Sequence, residues 1–163
     1  MKLLKLMTLP LIILATAPAL MAQGTQVAFG ALQQDKSLPV EVTADNLSVD
    51  QATGTAVFTG NVVVGQGEMR LSAKRVLVVY REETDGIESM EATGDVLLVS
   101  GPDAAESEKA NYNIDDGTIV MTGNVLLTQG PSALTADRMT VQLESGTAQM
   151  SGSVKTILQT GDN

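Results

Sequence analysis

From residue 38 onward, apolar and polar residues alternate in short runs, and Gly, Asn, Asp or Thr interrupts these runs every 8 to 13 residues. Strict alternation is typical of a strand with one buried face, because successive side chains point to opposite sides of a strand. No segment after residue 30 has the spacing of an amphipathic helix. The pattern therefore predicts many short strands and an all-β fold.

The strand pattern is repeated along the chain. Residues 54–80 and 117–143 align without a gap at a shift of 63, and 13 of the 27 aligned positions are identical. Within this repeat lies a unit of 29 residues, which is five residues longer in one copy, with the insertion expected at residues 81–89. A unit of two strands cannot bury its apolar face alone, so stacked units must supply the core. A glycine two positions before a valine marks each copy: Gly60, Gly94, Gly123 and Gly152.

The four copies predict which side chains point into the core. Two positions before and two positions after each glycine the residues are apolar, whereas the positions next to it carry Thr, Ser, Asn or Asp. A small residue (Ala44, Ala73, Ser107 or Ala136) also recurs in each unit. Counted from the glycine the apolar positions are even, whereas counted from this small residue they are the third, fifth and seventh. This change predicts one extra residue, and therefore a bulge or kink, at a polar pair. The pairs are Asp45-Asn46, Lys74-Arg75, Glu108-Lys109 and Asp137-Arg138.

Composition excludes several kinds of chemistry. The 163 residues include no His and no Cys, which excludes a Ser-His-Asp triad, a thiol nucleophile and an ordinary zinc site. The formal net charge of -9 argues against a nucleic-acid partner, since proteins that bind the phosphate backbone carry a basic face. The length suits one domain, and with only 2% aromatic residues its core must be aliphatic.

The N-terminus predicts a cleaved secretory signal peptide over residues 1–22. Lys2 and Lys5 are followed by an apolar segment at residues 6–17 and then by small residues, with cleavage expected after Ala19 or Ala22. The apolar segment is shorter than the roughly 20 residues of a membrane span, so an uncleaved anchor is the less favoured alternative. We expect flexible segments at residues 23–37 and 159–163, and a β domain at residues 38–158.

Two groups of functional candidates remain. The carboxylates of Glu82, Glu83 and Asp85, and those of Asp115 and Asp116, could support acid–base catalysis. Both sets stand beside glycine, however, and are expected at solvated hairpin tips. The aliphatic interior is either an ordinary packed core or, in an open stacked sheet, a groove that suits acyl chains, which bind through apolar area.

Three segments together carry a pattern, in which the third segment is a second copy of the Thr-Gly-Asn-Val motif of the second. They are Pro39-Val40-x-Val42-x-Ala44-Asp45, then Phe58-Thr59-Gly60-Asn61-Val62-x-Val64-x-Gln66-Gly67, and then Met121-Thr122-Gly123-Asn124-Val125-x-Leu127-x-Gln129. In this register the segments resemble the OstA-like domain of the LptA family of lipopolysaccharide-transport proteins. The resemblance covers about residues 38–158. It implies an open, twisted β-jellyroll, V-shaped and built from two sheets of antiparallel strands.

The resemblance also implies a transport role in which the protein is not an enzyme. Its relatives are expected in the periplasm of Gram-negative bacteria, where copies stack end to end by strand pairing into a bridge between the membranes. The acyl chains of lipid A would lie in the groove, and the sugars would face water. The implied partners are lipopolysaccharide, an inner-membrane LptC-like anchor, an outer-membrane LptD-like translocon and further copies of the chain. No cofactor, metal or nucleic acid is implied.

The repeat and the resemblance together name the candidate site residues. By the resemblance, Val40 lies in the N-terminal strand, and Tyr112 and Ile114 lie in the strand before the second Thr-Gly-Asn-Val motif. Strand addition at the ends would use partner-docking edges at Val40, Val42, Val154 and Ile157. The expected lipid-binding groove residues are Val40, Val42, Phe58, Val62, Val64, Leu71, Val76, Val78, Val96, Leu98, Tyr112, Ile114, Met121, Val125, Leu127, Met139 and Val141.

Two alternatives to lipid transport remain. One is a structural or adhesive β-roll with a closed, packed core and no lipid cargo. The other is a glycan hydrolase that depends on the carboxylates named above. Lipid transport predicts that inward residues such as Val62 and Val125 contact lipid while the outward residues Thr59 and Asn61 do not.

Overall fold

The computed structural model describes residues 24–29, 37–84 and 86–157, and every regular element in these ranges is a β-strand. The predicted signal peptide at residues 1–22 and the predicted tail at residues 159–163 lie outside them. Among the described residues, no helix is long and apolar enough to cross a membrane. The strands are β1 (Thr25–Ala28), β2 (Glu41–Thr43), β3 (Asn46–Asp50), β4 (Thr55–Gln66), β5 (Met69–Tyr80), β6 (Ile87–Ser100), β7 (Asp103–Asn113), β8 (Thr118–Gln129), β9 (Ser132–Gln142), β10 (Thr147–Ser151) and β11 (Lys155–Ile157).

The strands form one antiparallel sheet that follows the chain. From β4 to β10 each strand pairs with the next one along the sequence. At the N-terminal end β2 and β3 both pair with β4, and at the other end β10 and β11 both pair with β9. Each of these two pairs occupies the place of one long strand. With the six long strands β4 to β9, the repeat therefore stacks eight strand positions.

A break in register divides each long strand into two parts, and the sheet folds on itself at these corners. Between β4 and β5, Thr59 faces Arg75 while Val62 faces Ala73, and equivalent breaks recur along the roll. The parts on the two sides of the corners form two layers. Layer A contains β1, β3 and β10, layer B contains β2 and β11, and each long strand contributes one part to each layer.

The register corrects the predicted position of the extra residue. The inward face does change at the predicted pairs, since Ala73 and Val76 are both buried. The doubled residue lies on the neighbouring strand, however, where Gly60 and Asn61 together face the single residue Lys74. Both residues have the positive φ of a left-handed bulge, 80° and 45°. Hydrophobic spacing reveals that two strands slip past each other, but only the pairing reveals which strand carries the extra residue.

Each corner brings its glycine against a charged side chain of the preceding strand. A Cβ atom at Gly123 would lie 2.7 Å from a carboxylate oxygen of Glu108, and φ at this glycine is 84°. A side chain is excluded both by this contact and by the positive φ, which explains why the glycine recurs in every unit.

The residue after the corner glycine contacts the same side chain. Asn124 Nδ2 donates a hydrogen bond to Glu108 Oε1 over 2.6 Å, and an equivalent bond occurs at the first corner. At the second corner an ion pair replaces the amide–carboxylate hydrogen bond. Asp95 stands in place of the asparagine and forms an ion pair of 2.5 Å with Lys74. The departure from the asparagine pattern is therefore matched by a basic residue on the preceding strand.

The expected insertion lies in the loop between β5 and β6. This loop covers residues 81–86, whereas the corresponding turn between β7 and β8 covers residues 114–117. Arg81 of the longer loop forms an ion pair with Asp115 of that neighbouring turn. The predicted place of the insertion is confirmed, and its Asp85 lies outside the described residues.

The segment expected to be flexible at residues 23–37 contains a strand. In β1, Thr25 pairs with Met150 and Ala28 pairs with Thr147 of β10. Phe29, which follows β1, is fully buried. The expectation is therefore wrong for residues 24–29. A segment of this length outside the repeat has no second copy from which its place at a sheet edge could be inferred.

Candidate functional site: the apolar interior

The candidate site is the interior between the two layers. Alternate side chains of each strand point inward on both sides of the corners, so the apolar faces of layers A and B meet. Buried apolar residues from β4 to β10 form one cluster that includes both layers. The interior is thus a single apolar strip along the length of the roll.

The residues expected in the groove are brought together in this interior. All 17 of them belong to the cluster or pack against it. Thirteen are buried, and the other four, Val40, Val42, Phe58 and Ile114, are partly buried. Layer A contributes Phe58, Val76, Val78, Tyr112, Ile114, Met121, Met139 and Val141, and layer B contributes the remaining ones.

The interior contains further residues that were not among the candidates. Leu134 is buried opposite Leu127, in the position that Leu71 has in the first long repeat, so the repeat was sufficient to identify it. Ile119 is buried two positions before Met121 and continues the same alternation. Phe29 is also fully buried, but no repeated pattern pointed to it.

A polar pair links the two layers inside the apolar strip. Tyr112 Oη, in layer A, donates a hydrogen bond to Gln66 Oε1, in layer B, over 2.9 Å. Both residues are buried, at 4% and 2% exposure. Burial raises the pKa of the Tyr112 hydroxyl, and the hydrogen bond to Gln66 offsets part of this shift. The hydroxyl therefore stays protonated at neutral pH and remains a donor.

Two equivalent glutamines of the repeat bind the N-terminal segment. Gln66 Nε2 donates to the Leu38 carbonyl over 3.0 Å, and Gln129 Nε2 donates to the Ala28 carbonyl over 2.6 Å. Gln129 also donates to Asp103 Oδ2 over 2.9 Å. Both glutamines end their strands in layer B, next to a two-residue turn. These bonds hold the backbone at Ala28 and at Leu38 against the ends of the layer B strands.

The interior is closely packed. A space of about 10 Å³ lies between the layers and is lined by Val64, Met69, Leu71, Val76, Met90, Ala92, Ala110, Tyr112 and Ile119. A single water molecule needs about 10–15 Å³. This space therefore has no room for an acyl chain, and a ligand of that size requires the layers to move apart.

The two ends of the interior differ in exposure. At the N-terminal end, Leu47 and Val49 of β3 lie on the same face as the buried Ala56 of β4, yet they are 57% and 60% exposed. At the C-terminal end, Phe29 and Met150 are both 0% exposed. Within the described residues of layer A, the apolar strip reaches solvent at the N-terminal end and is covered at the C-terminal end.

The residues expected at docking edges lie at the two ends of layer B. Val40 and Val42 are half-buried beside the core, Val42 within β2. Val154 and Ile157 are exposed, Ile157 within β11. Among the strands that the structure describes, β2 pairs only with β4 and β11 only with β9. Each of these two strands therefore has one edge to which no described strand is bound.

The candidate carboxylates lie at the surface. Glu82, Glu83 and Asp116 are exposed in the loop after β5 and the turn after β7, and Asp115 pairs with Arg81. No group of three or more carboxylates in the described part of the chain could hold a metal ion. The four candidate carboxylates that the structure describes lie at hairpin tips, as the sequence predicts.

Comparison with known proteins identifies the family. Residues 41–147, more than half of the chain, match the family described as LptA/(LptD N-terminal domain) LPS transport protein, where LPS is lipopolysaccharide. The chain belongs to this family. The resemblance carried by the Thr-Gly-Asn-Val motifs is confirmed, and LptA-family proteins are transport proteins, not enzymes.

Curated relatives match part of the LptA-family chain. An uncharacterised protein of Rhizobium meliloti is 33% identical over 112 residues, which cover 64% of this chain and 60% of the relative. The lipopolysaccharide export system protein LptA of Haemophilus influenzae is 34% identical over 92 residues, or 56% and 51%. LptH of Pseudomonas aeruginosa is 37% identical over 87 residues, or 53% and 46%. The chain thus spans about half to three-fifths of the length of these three relatives.

A solved structure confirms the fold. The crystal structure of LptH from Pseudomonas aeruginosa, described as the LptA-homologous periplasmic component of a lipopolysaccharide transport device, matches with a TM-score of 0.68. The match covers 77% of this chain and 99% of LptH at 17% sequence identity. Likeness at this identity concerns the architecture. The predicted open, twisted, all-β jellyroll is the fold of this chain.

Proposed function

We propose that this LptA-family protein binds lipopolysaccharide by its acyl chains and carries it from the inner to the outer membrane of a Gram-negative cell. The observation that supports the proposal best is the uninterrupted apolar strip between the layers, which reaches solvent at Leu47 and Val49. Acyl chains bind through buried apolar area, at about 25 cal/mol per Å². Outward positions such as Thr59 and Asn61 are polar, which suits a cargo whose sugars stay in water.

Loading requires the two layers to separate, and the topology permits this. All strand pairs of the described residues join neighbouring strands along the roll. The two layers are joined at the corners, and no strand pair among these residues joins them at the opposite side, where the hairpin turns lie. Opening would therefore break side-chain contacts, including the hydrogen bond between Tyr112 and Gln66, but no ladder of backbone bonds. An entering acyl chain would replace the lost aliphatic contacts with its own.

The proposed self-association follows from an alternation of two kinds of strand. Glycine strands contain a corner glycine and comprise β4, β6, β8 and the pair β10–β11, whereas companion strands comprise the pair β2–β3, β5, β7 and β9. The roll begins with a companion strand and ends with a glycine strand. A second copy placed end to end would continue the internal alternation, with its β2 on the free edge of β11.

The remaining partners and the location follow the same proposal. An LptC-like anchor at the inner membrane and an LptD-like translocon at the outer membrane would dock on the end strands of the roll, after a signal peptide at residues 1–22 directs the chain to the periplasm. Val42→Pro in β2 should then weaken association at this edge about tenfold, since proline lacks a backbone donor. Analytical ultracentrifugation measures the association, and circular dichroism checks that the variant is folded.

Photocrosslinking tests the lipid site. Phe58 is a partly buried inward residue of β4, and its neighbour Val57 points to the opposite face. A p-benzoyl-phenylalanine probe at Phe58 keeps the phenyl ring and adds a benzoyl group to it, and the same probe at Val57 is the matched control. In cells we expect irradiation to link lipopolysaccharide to the probe at Phe58 and not to the probe at Val57.

The result also decides between transport and a packed roll. The nearly filled interior is the observation that favours the second candidate, a structural or adhesive β-roll without lipid cargo. Equal labelling of both faces, or no labelling of either, would contradict the proposed lipid site. Normal amounts of surface lipopolysaccharide after depletion of the protein would contradict the transport role.

A further inference from the structure

We propose that β1 and Phe29 form an internal cap that occupies the place on β10 which strand β3 of a following copy would take. The cap and full end-to-end association then exclude each other in layer A. This inference rests on the end-to-end association proposed above and adds a control to it. Register, burial and hydrogen bonding of residues 24–29 support it.

The register of β1 is that of a companion strand. Thr25 lies opposite Met150. Met150 stands two positions before its corner glycine, where Phe58 stands in the first unit, and Phe58 lies opposite Val76 of β5. Strand β1 therefore lies on β10 as β5 lies on β4.

The backbone contact after β1 repeats an internal contact as well. Phe29 N donates a hydrogen bond to Gly146 O over 3.1 Å, as Tyr80 N does to Gly54 O over 2.9 Å. The same contact recurs after β9. Phe29 thus takes the position of Tyr80, at the inward-facing end of a companion strand, and it is 0% exposed there.

A following copy would need the same position. Its β3 is the layer A part of a companion strand, and the repeat register would place its Leu47 opposite Met150, which is now the partner of Thr25. Its Val49 would likewise take the place of Val27. Because the free edge of β10 can bind one strand at a time, β1 must leave before this pairing forms.

Both competitors gain by binding β10. The cap buries Phe29 and is also bound through the hydrogen bond from Gln129 Nε2 to the Ala28 carbonyl. The competing strand β3 carries Leu47 and Val49 at 57% and 60% exposure, and pairing with β10 would remove both from water. The balance between two apolar surfaces of similar kind makes the exchange reversible.

The cap leaves layer B available for the first contact. Within the described residues, β11 has an edge that no strand occupies, while β10 is covered by β1. Strand β2 of a following copy can therefore pair with β11 first. Its β3 then displaces β1 from β10, so association proceeds by strand exchange.

A disulfide that locks the cap provides the first test. The chain has no cysteine, and Gln26 lies opposite Gln149 with both side chains exposed. Since Phe29 and Gly146 are hydrogen-bonded, alternation makes Gln26–Gln149 a non-hydrogen-bonded pair, whose short Cα separation suits a disulfide. In light scattering over a concentration series, oxidised Gln26→Cys/Gln149→Cys should associate at least about tenfold more weakly than its reduced form.

A proline in the cap provides the opposite test. By the same alternation Val27 is hydrogen-bonded to Ala148, so Val27→Pro removes a bond to β10 and should strengthen association about tenfold. Gln26→Pro is the matched control, because its N–H points away from β10. Adding Val49→Asp to Val27→Pro should return the protein to monomer, which separates ordered association from aggregation.

The outcomes distinguish the cap from the association itself. If the protein associates end to end and neither the disulfide nor Val27→Pro changes the affinity, the cap is overturned and the association stands. If the protein and Val27→Pro both stay monomeric at every concentration, both proposals are overturned. Opposite shifts in the two variants, reversed by reduction and by Val49→Asp, support the cap.

Discussion

The two ends of the roll are built from the same repeat but treat the apolar strip differently. At the N-terminal end, β3 ends the stack in layer A with Leu47 and Val49 more than half exposed. At the C-terminal end, β10 has the same role as β3, yet β1 covers its edge and Phe29 closes the interior. The difference does not arise from the repeat. It arises from six residues that precede it, at residues 24–29.

Because of this difference, the two ends of the roll are not equivalent as binding surfaces. A symmetric stack with two bare ends could associate by either end with equal ease, whereas in layer A one end presents apolar side chains and the edge at the other end is occupied by β1, so that only β11 of layer B has a free edge there. Variants that change one end and not the other test this contrast.

Removal of the Phe29 side chain should have the largest effect. Phe29→Ala leaves a gap in the covered end, and large-to-small changes of buried aromatic residues cost about 3–5 kcal/mol. Detachment of β1 would limit the loss, so we expect a decrease of about 3 kcal/mol in the free energy of unfolding, measured by urea denaturation. Leu47→Ala at the open end is the control and should cost less than about 1 kcal/mol. Equal costs at the two ends would contradict the contrast.

The corner glycines should respond equally at the two ends. At both Gly60 and Gly152 a Cβ atom would lie 2.5 Å from a carboxylate oxygen, and φ is 80° and 75°. Alanine at either position should cost about 2 kcal/mol, since the left-handed conformation alone costs about 1–2 kcal/mol. Gly101→Ala isolates the backbone part, because φ is 54° there and no atom lies within 4 Å. Thermal unfolding of the three variants is the measurement, and a much larger loss at Gly152 would mean that the cap depends on that corner.

The buried Tyr112 should make stability depend on pH at the alkaline end. Burial raises its pKa above that of the unfolded chain, so its contribution is fully present below about pH 10 and is lost as the pH rises beyond that value. Tyr112→Phe should cost about 1 kcal/mol at neutral pH, because Gln66 loses a partner, and should lack this alkaline loss. Urea denaturation from pH 7 to pH 11 measures both effects, with Tyr80→Phe as the control. Parallel pH profiles of protein and variant would contradict the assignment.

Loss of the ion pair between Lys74 and Asp95, at the second corner, should have the smallest effect on stability. The side chains of Lys74 and Asp95 are 73% and 80% exposed, and exposed ion pairs contribute about 0–1 kcal/mol. Asp95→Asn should therefore change the free energy of unfolding by less than about 0.5 kcal/mol, and added salt should reduce even that difference. A loss above 1 kcal/mol would mean that this corner is held more tightly than those at the ends.

Much of the fold could be predicted from the sequence, because the repeat supplies several independent readings of each position. A segment such as residues 62–64 is ambiguous alone, but four aligned copies show that Val62 points inward and Asn61 points outward. For the same reason, the repeat predicts that the 17 groove candidates point into the interior, where they belong to the core cluster or pack against it. Leu134 has the same position in the repeat as Leu71, so the repeat alone is sufficient to place it on the inward face.

The remaining features depend on contacts that hydrophobic spacing does not encode. The side of the bulge depends on pairing between Gly60-Asn61 and Lys74. The hydrogen bond from Asn124 to Glu108 joins residues 16 positions apart across two strands. The place of β1 depends on an edge more than 100 positions away, and its sequence has no second copy. The small volume of the interior depends on how closely the layers approach, which alternation alone does not define.

Because each unit of the repeat contains two strands, the number of units determines the length of the roll. Eight stacked strand positions at a spacing of about 4.8 Å give one copy a reach of roughly 38 Å, and each unit of 29 residues adds about 10 Å. Length can therefore change only in whole steps, since half a unit would put two strands of the same kind side by side. A chain lengthened by one copy of residues 117–145 would keep the corner contacts in register, because its Asn124 would again face a carboxylate, that of Asp137. Any longer distance would need a further molecule.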